Sequence, residues 1–436
     1  MTFDELRAAL PGRVQLPGDD GFEDAARPWI TTVDQPVAAV AHAATADDVA
    51  TVVRYASRAG IPVATQPTGH GASGNTAKAI LLRTAQLDNV EVAPTERVAR
   101  VGAGANWRRV LAATSEHGLT GLAGSSPVVG ATGYTLGGGL SWFGRRHGWA
   151  SDAVRAFEIV DAEGTQRRVT AESDPDLFWA LRGGSGDFAV VTALEFDLFP
   201  APEIYGGRML WPANRTRAAF ELFQEVTATA PEELSVWFQR FHFPDAPPMV
   251  ALDAVYLGDA DRGRELLARF DVIGDPILDN RMLRKPVDVG AVADEPTDPS
   301  PGFFRAEQLT GLGDAVVETL IDEPIAPLLD VQIRHLGGAL SEPRVGGGAR
   351  GPIAEPYMLY LFGLGLPHLV DGVRARLGAI VDALGGQISG QKPYTFLAPE
   401  ENASAAFDSA TLTRLREIKR AVDPHGIIRA NFPVLG

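Results

Sequence analysis

His70 stands between two glycines in "QPTGHGASGN", residues 66–75, and an imidazole in so open a loop is placed to touch a ligand. Its other reading is a surface or hydrogen-bonded histidine, the usual state of a lone loop histidine. No HExxH motif or close histidine pair accompanies it, so no metal site is expected. A second segment, "AGSSPVVGATGYTLGGG" at residues 123–139, carries Gly124, Gly130, Gly133, Gly137, Gly138 and Gly139. Lacking a Cβ, such turns let backbone N–H groups close on an anion, as in pyrophosphate cradles. An irregular surface loop has the same composition, and glycines alone do not separate the two. Two nucleotide signatures fail: GxxxxGK(S/T) is absent, and "GAGANW" at 102–107 holds Trp107 where the dinucleotide fingerprint needs its third glycine.

The elements that must hold these segments come in two styles. Thr45 and Asp48 form a possible capping box ahead of Val49, Val52, Val53 and Ala56 at helical spacing; Gly60 ends that helix and "IPVATQ" reads as a buried strand. His70 then lies in the loop at the C-terminal end of that strand. "AILLRT" and "VARVGAGA" are further strands, residues 106–117 a helix closed by Gly118, and "AFEIVDAEGTQRRV" a hairpin turning at Glu163-Gly164. Asp174 and Pro175 start a short helix before the long strand "FAVVTALEFDLF". From about residue 200 long strands dominate: "RMLWP", "LSVWFQRFHF", "MVALDAVYLG", "DVQIRHLGGAL" and "PYMLYLFGLG", with amphipathic helices at 213–229, 259–270 and 367–384. That pattern predicts an antiparallel sheet backed by helices. "ADEPTDPSPG" and "SEPRVGGGARGP" read as rim or lid loops, and helix 408–421 with "DPHGIIRANFPV" as a tail that packs back on the first half.

Composition narrows the chemistry. The chain has 436 residues, 45% hydrophobic and 22% charged, which is ordinary for a globular protein with a large core. A formal net charge of −16 repels a phosphate backbone, so nucleic acid is not an expected partner. The absence of cysteine removes disulfides, thiolate zinc sites, iron–sulfur clusters and thiol nucleophiles. No basic, apolar leader opens the sequence and no run of 18 apolar residues occurs, so a cytoplasmic protein without a membrane partner is expected. The sequons at Asn214 and Asn402 then read as chance matches.

In order, the strand, the Gly-His loop, "GSSPVVGATGYTLGGG", "PDLFWALRGGSGDFAVVTALEFDLFP" and the terminal "DPHGIIRANFPV" resemble the FAD-linked oxidases typified by berberine bridge enzyme and 6-hydroxy-D-nicotine oxidase. The resemblance covers the first 200 residues and the tail. It implies an α+β chain: a PCMH-type FAD-binding domain of two subdomains at 1–200, with 401–436 packing back on it, and an antiparallel-sheet substrate domain at 201–400. It also implies an oxidase that moves hydride from an alcohol or amine carbon of a sugar or natural product to flavin N5, with dioxygen giving hydrogen peroxide. A dehydrogenase using another acceptor, or a flavoprotein that sequesters a small molecule, are the alternatives. Oligomeric state is not indicated.

Residue by residue, the resemblance makes His70 the covalent anchor of FAD, wrapped by Gln66, Thr68, Gly69, Gly71 and Ala72. From the second segment Gly124, Ser125, Ser126, Val129, Gly130, Thr132, Gly133, Tyr134, Gly137 and Gly138 would contact the cofactor. Ser126 stands where many relatives carry a second, flavin-linking cysteine, which implies a single bond; Gln66 stands where many have arginine. Val190 and Val191 would wall the adenine or ribose, Asn431 would approach the isoalloxazine, and Tyr394 of "KPYTFL" would be the base, although Phe396 replaces the asparagine of the family's Y-x-N. From the residues alone, the period-two faces of the later strands offer Trp237, Gln239 and Phe241, Gln332 and Arg334, and Tyr357 or Tyr360 as pocket candidates.

Overall fold

The computed structural model describes residues 3–436. A five-stranded sheet runs Val14–Gln15, Ala39–His42, Ile80–Arg83, Val63–Thr65 and Ile428–Arg429, with its last four strands parallel. Every residue of Ile80–Arg83 is buried, as a parallel strand covered on both faces must be. Helix Ala46–Ala59 covers it with Val49, Val52, Val53 and Ala56; both hydrogen bonds of the Thr45–Asp48 capping box form, and Gly60 closes the helix at φ 65°. The His70 loop leaves the C-terminal end of Val63–Thr65, the side of a parallel sheet where ligands settle.

The strand Ile428–Arg429 ties the tail into this sheet, and buried charges lock it there. Lys419, on helix Ser409–Val422, donates to Asp423 at 2.8 Å and to the carbonyl of Ile428 at 2.6 Å. Asp187 accepts from the backbone N–H groups of Ala430 at 3.1 Å and Val434 at 3.0 Å. Lys419→Ala leaves the buried Asp423 without its counter-charge, and breaking such a pair costs about 3–5 kcal/mol. Urea unfolding monitored by tryptophan fluorescence checks this, a loss below ~1 kcal/mol being the contrary result.

A second, antiparallel sheet runs Val90–Ala93, Val98–Gly102, Val190–Asp197, Val154–Val160 and Gln166–Val169. The glycine-rich segment is not wholly loop: Ala131–Leu136 is a short helix that packs against Val98–Gly102 and Val190–Asp197 of this sheet. Gly139 follows at φ +77°, where an added Cβ would lie 2.5 Å from the Tyr134 ring, so that glycine serves close packing.

The third sheet has eight strands, in the order Leu278–Asp279, Ile204–Pro212, Met249–Tyr256, Leu234–Phe241, Asp330–His335, Tyr357–Leu364 and Gly302–Leu309, with Met282–Arg284 also paired to Ile204–Pro212; all pairings are antiparallel. One face packs Val236, Phe238, Leu252, Ile333 and Leu361 against helices Thr216–Thr227 and Val370–Leu384. Residues of the other parity face the first two sheets, with Trp237 stacked on Trp142 at 3.6 Å. The strand Gly302–Leu309 has no counterpart among the sequence expectations. Its charges mask it: Glu307, 1% exposed, is paired inside with Lys392 at 2.8 Å. Among the described residues no helix is long and apolar enough to cross a membrane.

Candidate active site

A cavity of about 610 Å³ opens between the His70 loop, the glycine-rich segment and the free face of the eight-stranded sheet. That is the volume range of small-molecule and cofactor sites. On the loop side the His70 ring lies on Trp29, with centroids 3.9 Å apart and planes 18° from parallel. Nδ1 meets the Thr68 hydroxyl at 2.8 Å, while Nε2 is buried without a partner. Burial lowers the imidazole pKa to about 4, so the ring is neutral near pH 7. In the tautomer whose Nδ1–H donates to Thr68, Nε2 keeps its lone pair; in the other the Thr68 hydroxyl donates to Nδ1. Gln66 donates through Nε2 to Gln35 at 2.7 Å and to Asn431 at 3.4 Å, which sets the returning tail beside the loop.

Three buried polar atoms on this wall, Thr65 Oγ1, Gln66 Oε1 and His70 Nε2, have no hydrogen-bond partner. Buried polar atoms are seldom left so, and a cluster of them at a cavity wall fits a polar ligand that completes it. Gly133 faces open space, with nothing within 4 Å of where a Cβ would sit. The wall thus fits a nucleotide-type cofactor.

Of the residues expected to contact it, Gln66, Thr68, Gly69, His70, Gly71, Gly124, Ser125, Ser126, Val129, Gly130, Gly133, Tyr134 and Asn431 line the cavity. Ala72, Thr132, Gly137, Gly138, Val190 and Val191 are not on its wall. A Cβ on Gly137 would lie 2.6 Å from Thr395, and one on Gly138 would lie 3.0 Å from Arg350, so these glycines admit neighbouring side chains. Val190 and Val191 belong to two hydrophobic cores.

Tyr394 needs a correction. Its ring reaches the cavity wall, but its hydroxyl donates to the carbonyl of Phe432 at 3.0 Å and accepts from the Phe432 N–H at 3.1 Å. Burial also raises its pKa. A hydroxyl engaged in both directions by backbone anchors the tail and is not free to take a substrate proton.

The ionisable groups lie instead on the sheet. Arg208 makes a bidentate pair with the fully buried Asp253, at 2.8 and 2.7 Å, and Gln239 also donates to that carboxylate. Asp330 has no such partner: its Oδ1 is buried and unbonded. Burial raises its pKa to about 8, outweighing the nearby Arg208 and Arg334. Arg334 is buried on the same face, bonded to Gln332 and lying 3.9 Å from the Trp237 ring centroid. Gln239, Phe241, Gln332 and Arg334 line the cavity as expected, and Trp237, of the same face, stacks on Trp142 instead; of the two tyrosines left open, Tyr360 lines the cavity and Tyr357 points to the other face and bonds Thr227 at 2.8 Å. Sequence reasoning missed Asp330, Arg208, Asp253 and Trp29. The signal for Asp330 was present, since it extends the face of Gln332 and Arg334 by one step of two.

Comparison with known proteins bears on what the cavity holds. Residues 37–170 match the family described as an FAD binding domain. The chain is 29% identical to FAD-dependent monooxygenase tpcD of Cochliobolus heterostrophus over 91% of this chain and 84% of that protein. Four further fungal matches, named as FAD-dependent monooxygenases or an FAD-linked oxidoreductase, are covered over only 40–57% of their own length. Among solved structures, 6-hydroxy-D-nicotine oxidase from Arthrobacter nicotinovorans superposes with a TM-score of 0.83 at 22% identity, covering 96% of this chain and 97% of that one. A cysteine-to-alanine variant of berberine bridge enzyme superposes with a TM-score of 0.86 at 15% identity, covering 99% of each chain. Residues 37–170 therefore match an FAD-binding domain, in a chain with the fold of 6-hydroxy-D-nicotine oxidase and berberine bridge enzyme.

Proposed function

We propose that this chain is an FAD-dependent oxidoreductase, of oxidase type, acting on a small molecule that enters between the glycine-rich wall and the eight-stranded sheet. The observation that carries the reading is the matched FAD-binding segment, whose Gly-His loop and the strand end before it line the cavity with three unpartnered buried polar atoms. The loop Gln66–Gly71 and the segment Gly124–Tyr134 would hold FAD, with His70 Nε2 as the nitrogen free to bond it. Ser126, in place of a thiol, leaves a single link. When bound, FAD supplies the hydride acceptor; the name of the superposed 6-hydroxy-D-nicotine oxidase fits that chemistry, whereas tpcD is named a monooxygenase.

The chain's part is proton management and enclosure. Ionised Asp330 would take the O–H or N–H proton next to the carbon being oxidised, a task suited to a carboxylate held near the working pH. The Arg208–Asp253 pair and Gln239 hold the polar floor beside it. Phe241, Phe304 and Phe362 supply apolar walls that limit water. The experiment is reoxidation of dithionite-reduced protein by air. Rapid return of the oxidised flavin spectrum, with one equivalent of hydrogen peroxide per flavin, supports the oxidase; slow return in air that a quinone acceptor accelerates would make it a dehydrogenase.

A further inference from the structure

We propose that the substrate of this cavity carries a carboxylate or similar planar anion, bound by Arg334, on an apolar, ring-like body. The inference rests on the oxidoreductase reading and adds the substrate's class to it. Arg334 is buried at 6% exposure, yet of its five donors only Nε has an acceptor among the described residues, the side chain of Gln332. Among the described residues its two terminal nitrogens have no acceptor and it forms no ion pair.

Arg182 and Arg350 are also buried with one carbonyl acceptor each, but neither lines the cavity, so what sets Arg334 apart is an under-bonded guanidinium on the cavity wall. Arg208 is closed bidentately by Asp253, and Arg145 spends its donors on the carbonyls of Leu234, Ala230, Pro231 and Leu336. A charge taken out of water without a partner is costly, and the planar fork of a guanidinium matches a carboxylate. Trp237 at 3.9 Å, Phe396 at 5.2 Å and Tyr360 at 5.7 Å from its central carbon hold the guanidinium in place. Two carboxyl groups act on it through space without bonding to it: Asp330 on its own strand and Glu295 on the cavity-lining 293–302 loop. Tyr134 and Tyr360 complete the titratable groups around it.

The test is equilibrium dialysis of the holoprotein at pH 7 against labelled benzoate and labelled benzamide, which share a ring and differ in charge. Benzoate is expected to bind at least tenfold more tightly than benzamide. Arg334→Gln should remove that preference while leaving benzamide binding unchanged. Arg334→Lys should keep part of it, since the charge remains but the fork is lost. Flavin content of each variant reports folding; where Arg334→Gln loses flavin, the lysine variant alone decides. Equal binding of the two probes, no benzoate binding, or a benzoate preference untouched in the variant that folds would overturn the proposal. A colourless wild-type protein would sink the flavin reading instead, and dialysis would still report on the anion site.

Discussion

Asp330→Asn is expected to lower kcat about 10²–10⁴-fold, the usual worth of a positioned general base, with flavin content unchanged. The wild-type rate should rise with pH through about 8, where Asp330 ionises, and the variant should lose that rise. The cause is local. Asp330 begins the strand Asp330–His335 on the cavity face, partly buried and with one oxygen buried and unbonded, so its charged form loses water on that side with no bonded partner to replace it. Asp253, on the same floor and fully buried, has the Arg208 fork and the Gln239 amide to hold it. Burial raises the pKa of Asp253 as well, but there the Arg208 fork and the Gln239 amide offset it, whereas no side chain among the described residues bonds Asp330; the two carboxyl groups differ in their partners, as structural and catalytic carboxyls do.

Stability supplies an independent reading of the same group. Its folded pKa lies above the usual carboxylate value of 3.8, so between about pH 4 and about pH 8 the native state binds the extra proton. Stability from this group is accordingly present at low pH and lost as pH rises through that window. Asp330→Asn should make the protein more stable at pH 8 than wild type while making it slower. A slower variant without the stability gain would mean that Asp330 is not the buried, protonated group described here.

His70→Ala is expected to abolish covalent flavin and to leave at most dissociable FAD. The imidazole meets the conditions for such a bond: it is neutral, its ring is fixed against Trp29, and Thr68 occupies the other nitrogen. Thr68→Ala should slow attachment without removing it, since it fixes the tautomer and not the nucleophile. The check is flavin fluorescence on a denaturing gel, together with FAD released into the supernatant on acid precipitation.

The regular framework was legible because its signals are local. The Thr45–Asp48 capping box, Gly60, the turn at Glu163-Gly164 and the Asp174-Pro175 helix start are short-range signals, and each forms as read. Alternation along single strands also sorted Gln239, Phe241, Gln332 and Arg334 onto the cavity face, and left Tyr357 or Tyr360 for the structure to decide. The site's electrostatics were not legible, because they arise between strands. Arg208 and Asp253 lie 45 residues apart and meet only through the register of Ile204–Pro212 with Met249–Tyr256. The raised pKa of Asp330 comes from desolvation, which no motif records. Tyr394 misled for a related reason: its two backbone bonds to Phe432 exist only once the tail has docked.

The most direct test of the central claim is the absorption spectrum of the purified protein, followed by acid precipitation and fluorescence imaging of a denaturing gel. An oxidised-flavin spectrum is expected, with fluorescence that stays with the 46.3 kDa band in wild type and vanishes from it in His70→Ala. A colourless protein that takes up no FAD on incubation would contradict it.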